Sequence, residues 1–403
     1  MSAPGVRSTS PKRIGFVLAS DTWGGAEIHT LALTARLAAR GHSCIIAELD
    51  QPVVAAHHPM VAEGVEVRAL PIEGHLTRPR LRSAYRQLRS LGVDVGVFVK
   101  GWTTVGTVGL DLACRLAFHG HFLTIEHLTP PPRGTLRRGR HLGGLLPGLG
   151  LYWYRQGFAI QRRSWFPRRV ATVSKAIATE LIEHYGFPRR KVVPIPNGID
   201  ASRFIPDPVA GSATRARWGV PGNAVVLGAI GRFQNEHKGH HIAIELFARL
   251  CAAHPEQPLY LILAGSGPDE ARLKAQAGAT QWKDRIRFPG WSERPWEACA
   301  AMDVFLMPSQ REGIGLALME AMACGCCPVV MAVGGIREVV TDRSVGWSVE
   351  LNDLEGFFEG MQHFFAIGAA GRAAVGASAR EHIVRNFRAD EQYGKLADLV
   401  ERT

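Results

Sequence analysis

The chain has 403 residues, of which 46% are hydrophobic and 21% charged, with 44 Gly and 24 Pro; this suits two or three globular domains and excludes a disulfide-stapled miniprotein, a collagen-like repeat and a disordered chain. Lys and Arg number 47 against 36 Asp and Glu, a net +11, yet nine Arg and no acid fall between Pro131 and Val170, so the remainder carries only +2 (38 minus 36). The excess marks a region that could meet anionic lipid, nucleic acid or a phosphorylated substrate, and by itself excludes none of them.

In chain order, residues 1–12 are polar and lead into no apolar run of signal-peptide length. Ile14–Leu18 reads as a strand, followed by a loop through Gly24-Gly25 and a helix from about Ala26 to Arg40, ended by Gly41. Ile28, Leu31, Ala35 and Ala38 would form its buried stripe. Further strands are predicted at Cys44–Glu48, Val65–Ala69, Val95–Val99, Phe122–Glu126, Val170–Val173 and Val192–Ile195. The apolar segment Leu142–Tyr154 is too short to span a bilayer and is broken by Pro147.

Around Pro194 to Asp200 the pattern breaks, and the stretch to Gly222 is rich in Pro, Gly and small residues, as expected of a hinge. Alternation resumes with strands at Val225–Ile230, Tyr260–Ala264, Arg285–Phe288, Val304–Met307 and Pro328–Met331. The stretch from about Gly371 to Arg402 is helical in pattern. Strands alternating with helices predict an α/β fold of two parallel-sheet, Rossmann-like domains, residues 1–200 and 201–384, with a terminal helix at about 385–403 packing back on the first. The seven cysteines include Cys324, Cys326 and Cys327 and lack the paired spacing of a zinc site, so reduced core thiols of a cytosolic protein are expected.

The richest chemistry lies in Pro308-Ser-Gln-Arg-Glu-Gly-Ile-Gly-Leu316 and the helix that should follow it. Glu312 falls in the turn, Gly313 and Gly315 allow close backbone approach, and Glu320 lies a turn or more into the helix, whose free amides favour an anion such as phosphate. Gly231-Arg-Phe-Gln-Asn-Glu-His-Lys-Gly239 follows another strand and places Arg232 and Lys238 at the carboxyl edge of the same sheet, where open α/β sheets bind ligands. Ala264-Gly-Ser-Gly-Pro268 adds a third glycine turn on that rim.

Taken in order, Gly24-Gly25-Ala26-Glu27, Val173-Ser-Lys175, Pro196-Asn-Gly-Ile-Asp200, Gly231-Arg232 with Lys238-Gly239, Gly265-Ser-Gly267, Phe288-Pro-Gly290 and the Glu-x7-Glu pair Glu312 and Glu320 resemble the retaining GT-B glycosyltransferases of glycosyltransferase family 4. The resemblance implies two Rossmann-like domains facing across a cleft, with a C-terminal helix crossing back. It implies that Arg232 and Lys238 neutralise the diphosphate of a UDP- or GDP-linked sugar, with Gly25 approaching it from the other domain. Amides of Gly313, Ile314, Gly315 and Leu316 would meet phosphate or sugar oxygens, Glu320 would hold the ribose, and Glu312 would sit beside the transferred sugar. Gly265 would give room along the rim, the backbone at Pro289 would border the base, and His127 would lie near the donor sugar and the attacking hydroxyl. Glu27 suits either a helix-start role or a substrate contact.

The expected activity is then transfer of a hexose-type sugar, with retention, to a hydroxyl acceptor such as a surface glycan or lipid-linked saccharide. No metal or other cofactor is expected, and no Asp-x-Asp motif occurs. The same chemistry on a small soluble acceptor, or a noncatalytic sugar-nucleotide-binding role, is the alternative; a nicotinamide dehydrogenase is disfavoured because Asp21-Thr-Trp-Gly-Gly25 is not a G-x-G-x-x-G turn. Arg133 to Arg169, with Tyr152, Trp153, Tyr154 and Trp165, suits an anionic membrane surface, and so peripheral attachment to the cytoplasmic face; no nucleic-acid module is recognisable.

Overall fold

The computed structural model describes residues 10–20, 22–49, 53–72, 81–101, 107–128 and 160–403. The expectation for Arg133 to Arg169 therefore falls largely outside the described residues, as does Asp21. The chain divides into two units, Met1–Pro196 with Gln392–Thr403, and Asn197–Glu391.

In the first unit, β1 (Arg13–Leu18), β2 (Ser43–Glu48), β3 (Val65–Ala69), β4 (Val95–Lys100), β5 (Phe122–Glu126), β6 (Arg169–Thr172) and β7 (Val192–Pro194) form a parallel sheet ordered β3-β2-β1-β4-β5-β6-β7. In the second, β8 (Val225–Ile230), β9 (Leu259–Ala264), β10 (Ile286–Gly290), β11 (Val304–Met307), β12 (Cys327–Met331) and β13 (Trp347–Val349) are ordered β10-β9-β8-β11-β12-β13, again parallel. Helices cover parallel sheets on both faces, so the inner strands are apolar runs instead of alternating; β4, Val-Gly-Val-Phe-Val-Lys, is buried at every position. Each sheet has its own core, with Phe98, Phe118 and Phe122 in the first and Phe247, Phe357 and Phe364 in the second. Every strand expected from the sequence forms within two residues at its ends; β13, with three residues, was too short to leave a pattern.

Two expectations need correction. The helix Gly25–Ala38 buries Glu27, Thr30, Leu31, Thr34 and Leu37, while Ile28 is 38% exposed. Apolar and small side chains lie on all its sides, so spacing alone did not define the inward face. The terminal helical stretch is two helices, Gly368–Asn386 and Ala389–Glu401, separated where Ile199 N–H donates to Phe387 O at 2.7 Å and Ile199 bridges Arg388. The last part of the second helix is held within the first unit by Arg40, which bonds Asp398 at 2.7 Å and Glu401 at 3.0 Å, and by His42, 3.0 Å from Glu401. All seven cysteines are buried and unpaired. No helix among the described residues is long and apolar enough to cross a membrane.

The carboxyl edge of the first sheet carries a buried group of four charges. Lys100 Nζ lies 2.9 Å from Asp111 Oδ1 and 3.5 Å from Glu126 Oε1, and Arg163 Nε lies 2.5 Å from Asp111 Oδ2. All four side chains are at most 4% exposed. Two cations and two anions cancel, and Asp111 touches both cations. Replacing Asp111 by Ala should take a carboxylate partner from both Lys100 and Arg163 and cost about 3–5 kcal/mol; urea unfolding of Asp111→Ala beside the parent measures that loss directly, and an unchanged midpoint would refute the pairing.

Candidate functional site

The order of the second sheet reverses direction between β8 and β11, and such a switch point opens a crevice at the carboxyl ends of the strands. The two segments that leave those strands, Gly231–Gly239 and Pro308–Gly315, hold the expected cations and glycines. They are interlocked. Gln310 N–H donates to His237 O at 2.8 Å. Gly239 has φ +66°, and a Cβ there would lie 2.2 Å from the Pro308 carbonyl oxygen, so only glycine permits this approach.

Across that seam Lys238 Nζ donates to Glu312 Oε1 at 2.7 Å, and the Ser309 hydroxyl donates to the same oxygen at 2.9 Å. Ser309 is buried, at 1% exposure, and the Glu312 side chain is 9% exposed, whereas Lys238 keeps 29%. One carboxylate oxygen thus takes a charged and a neutral hydrogen bond, which fixes its direction. Arg232 is half-buried and its guanidinium has no partner among the described residues.

Gly315, at φ +78°, turns the chain into the helix Leu316–Ala323, and no side chain caps that start. The first-turn amides are left for another acceptor. Ile314 is 1% exposed, so its side chain is in the core and only its backbone can face a ligand. Glu320, further along the helix, is half-buried, and its carboxylate has no hydrogen-bond donor among the described residues. Burial pushes its pKa up to about 7 against the opposing pull of Arg203, which lies over the Trp296 ring at 4.0 Å. Gly231 N–H donates to Ala264 O at 3.0 Å, Phe233 N–H to Ser266 O at 2.9 Å and Gly265 N–H to Gly290 O at 2.9 Å, stitching the turns after β8, β9 and β10 together with Pro289 exposed beside them.

The remaining expected residues lie in the first unit. Gly25 is exposed at a helix start without a side-chain cap. Glu27 is 3% exposed and accepts from the Ser20 hydroxyl. His127 follows β5; its N–H donates to Lys100 O at 3.0 Å, and its ring meets His29 edge-on with centroids 4.8 Å apart. It is 9% exposed, burial pushes its pKa down to about 4, and its buried Nε2 has no hydrogen-bond partner among the described residues.

Sequence reasoning missed Ser309, the Arg203–Trp296 pair and His29. Ser309 stands at the head of the richest motif and could have been flagged as a buried hydroxyl beside a carboxylate. The other contacts join residues far apart in sequence and leave no local signal. Among the described residues, no three His, Cys, Asp or Glu side chains are grouped to hold a metal ion.

Residues 23–203 match the family model described as Glycosyltransferase Family 4, and residues 212–382 match that of Glycosyl transferases group 1. A D-inositol 3-phosphate glycosyltransferase of Geodermatophilus obscurus is 35% identical over 214 residues, covering 51% of this chain and 46% of the relative. The putative colanic acid biosynthesis glycosyltransferase WcaL of Escherichia coli is 33% identical over 233 residues, covering 55% and 53%. The chain spans about half the length of the curated relatives it matches. Two solved structures share the fold at low identity: a glycosyltransferase from Rickettsia africae (TM-score 0.76, 17% identical, covering 98% of this chain and 99% of that one) and Anabaena Alr3699/HepE in complex with UDP and glucose (TM-score 0.75, 19%, 97% and 100%). The two family matches, one in each half, and a GT-B fold agree with the motif order: the chain belongs to glycosyltransferase family 4.

Proposed function

We propose that this protein transfers a hexose-type sugar from a nucleoside diphosphate sugar to a hydroxyl acceptor, with retention of anomeric configuration and without a metal ion. The observation that carries this reading is the interlocked seam of Lys238, Glu312 and Ser309, with Arg232, unpaired among the described residues, and an uncapped helix start, at the switch point of the second sheet. Breaking the bond from the anomeric carbon to the phosphate oxygen builds negative charge on the departing diphosphate. Fixed cations and helix amides aimed at that charge lower the barrier without reorganising. Arg232 and Lys238 supply the cations, and the amides of Gly313 to Leu316 supply the dipoles.

Glu320, with no donor of its own, accepts the ribose hydroxyls, and the chain near Pro289 borders the base. Glu312, aimed by Ser309 and Lys238, faces the transferred sugar. His127, neutral above about pH 4, hydrogen-bonds a sugar or acceptor hydroxyl. UDP is the favoured nucleotide, since HepE, which shares the fold, binds UDP and glucose. A growing surface glycan or lipid-linked saccharide is the favoured acceptor class, in line with the colanic acid assignment of WcaL; the inositol phosphate relative keeps a small soluble acceptor as the second reading.

Lys238→Ala should lower kcat/KM about a hundredfold, the size expected for one lost charge-stabilising donor, and weaken UDP binding by calorimetry; full turnover would place the donor elsewhere. Because Glu320 ionises only near pH 7, UDP should bind more tightly as pH rises through 7 in the parent, and Glu320→Gln should flatten that dependence. A product anomer opposite to that of the donor, read by NMR, would exclude retention.

The buried histidines make a second pH-dependent expectation. Unfolded, His127 protonates near pH 6.5; folded, it stays neutral to about 4. The unfolded chain binds more protons between these values, so stability should fall as pH drops from about 6.5 towards 4. Urea midpoints across that range should decline in the parent and less steeply in His127→Gln; identical slopes would show that His127 is not the group responsible.

A further inference from the structure

We infer that Trp165 and the cations around it form a docking surface for an anionic lipid bilayer, at the amino edge of the first sheet. Trp165 is 58% exposed, and Leu116, next in sequence to Arg115, is 48% exposed. The indole is held out on a pinned backbone: Lys191 Nζ donates to Ser164 O at 2.9 Å and to Trp165 O at 3.2 Å, while Arg115 Nη1 donates to Phe166 O at 2.9 Å. A turn so fixed loses little backbone freedom when its side chain inserts into another phase.

Its surroundings are cationic. Arg115, Arg169, Arg189 and Arg190 are exposed, and Lys191 is half-buried. None of the five pairs with a carboxylate among the described residues. They crowd one another: burial, then the charges of Arg115, Arg190 and Arg169, push the Lys191 pKa down. A cluster held together against its own repulsion, without facing acids, is complementary to a negatively charged surface.

An aromatic ring and an aliphatic side chain set among arginines match the depth profile of a lipid headgroup region, where indoles settle at the interface and basic side chains reach the phosphates. A nucleic acid would use the cations but has no use for Leu116. The location also separates this surface from the chemistry. Arg168 N–H bonds Phe122 O at the start of β5, and His127 follows the far end of that strand, about 15 Å away at the rise of an extended chain. Docking at the amino edge leaves the carboxyl edge free.

Flotation of the full chain with phosphatidylcholine vesicles, with and without phosphatidylglycerol, tests this. The parent should float with the anionic vesicles at low salt and be released by high salt. Trp165→Ala should reduce the bound fraction, and Arg169→Gln with Arg190→Gln should lower the partition coefficient roughly fivefold for each charge removed. These side chains are exposed, so an unchanged urea midpoint would show that the fold survives, and UDP titration of the same samples reports separately on the donor site. Equal binding to neutral vesicles, or variants that partition like the parent, would overturn the proposal. So would a parent that ignores anionic vesicles yet retards a labelled oligonucleotide.

Discussion

A single carboxylate oxygen, Oε1 of Glu312, ties together the elements on which the second unit's chemistry depends. It takes the ammonium of Lys238 from the segment after β8 and the hydroxyl of Ser309 from the segment after β11. These strands are neighbours in the sheet but lie far apart in sequence, and this contact, the Gln310–His237 hydrogen bond and the close approach at Gly239 hold their loops together. An ion pair this protected from solvent needs its remaining lone pairs satisfied to be worth its desolvation, and Ser309 does part of that. In the proposed reaction an incoming diphosphate competes with Glu312 for Lys238, and the serine keeps the carboxylate in place while the lysine turns.

The first unit uses buried charge differently. Lys100, Asp111, Glu126 and Arg163 form a neutral group at the ends of β4 and β5, and His127 follows directly, its main chain bonded to Lys100 O. The charges lock the strand ends, and the apolar burial just beyond them keeps two imidazoles, His29 and His127, uncharged. A neutral ring can both donate and accept; a charged one can only donate.

Much of this was legible in the sequence, and the reason is physical. Parallel strands are buried on both faces, so β1, β4, β8 and β11 stand out as apolar runs, and Gly101 and Gly231, directly after β4 and β8, mark the rim. Because ligands of such sheets gather at that rim, Arg232, Lys238, Glu312 and Glu320 could be picked out before any coordinates. What resisted was direction and distance. The inward face of Gly25–Ala38 was misread because apolar residues surround the helix. The partners Ser309, His29 and Arg203 matter through side-chain contacts that no spacing rule encodes. The break at Phe387-Arg388 in the terminal helices answers a tertiary bridge to Ile199, which is invisible locally.

The helix Ala389–Glu401 begins among residues of the second unit and ends among those of the first. Its closing turns pair with Arg40 and hydrogen-bond His42, so severing the polypeptide after Pro196 would not liberate an autonomous half. The amino-terminal fragment would be born with Arg40 lacking both of its carboxylate partners and His42 lacking its hydrogen bond. During synthesis that half must wait for residues 392–403, made long after Pro196, to emerge before it is complete.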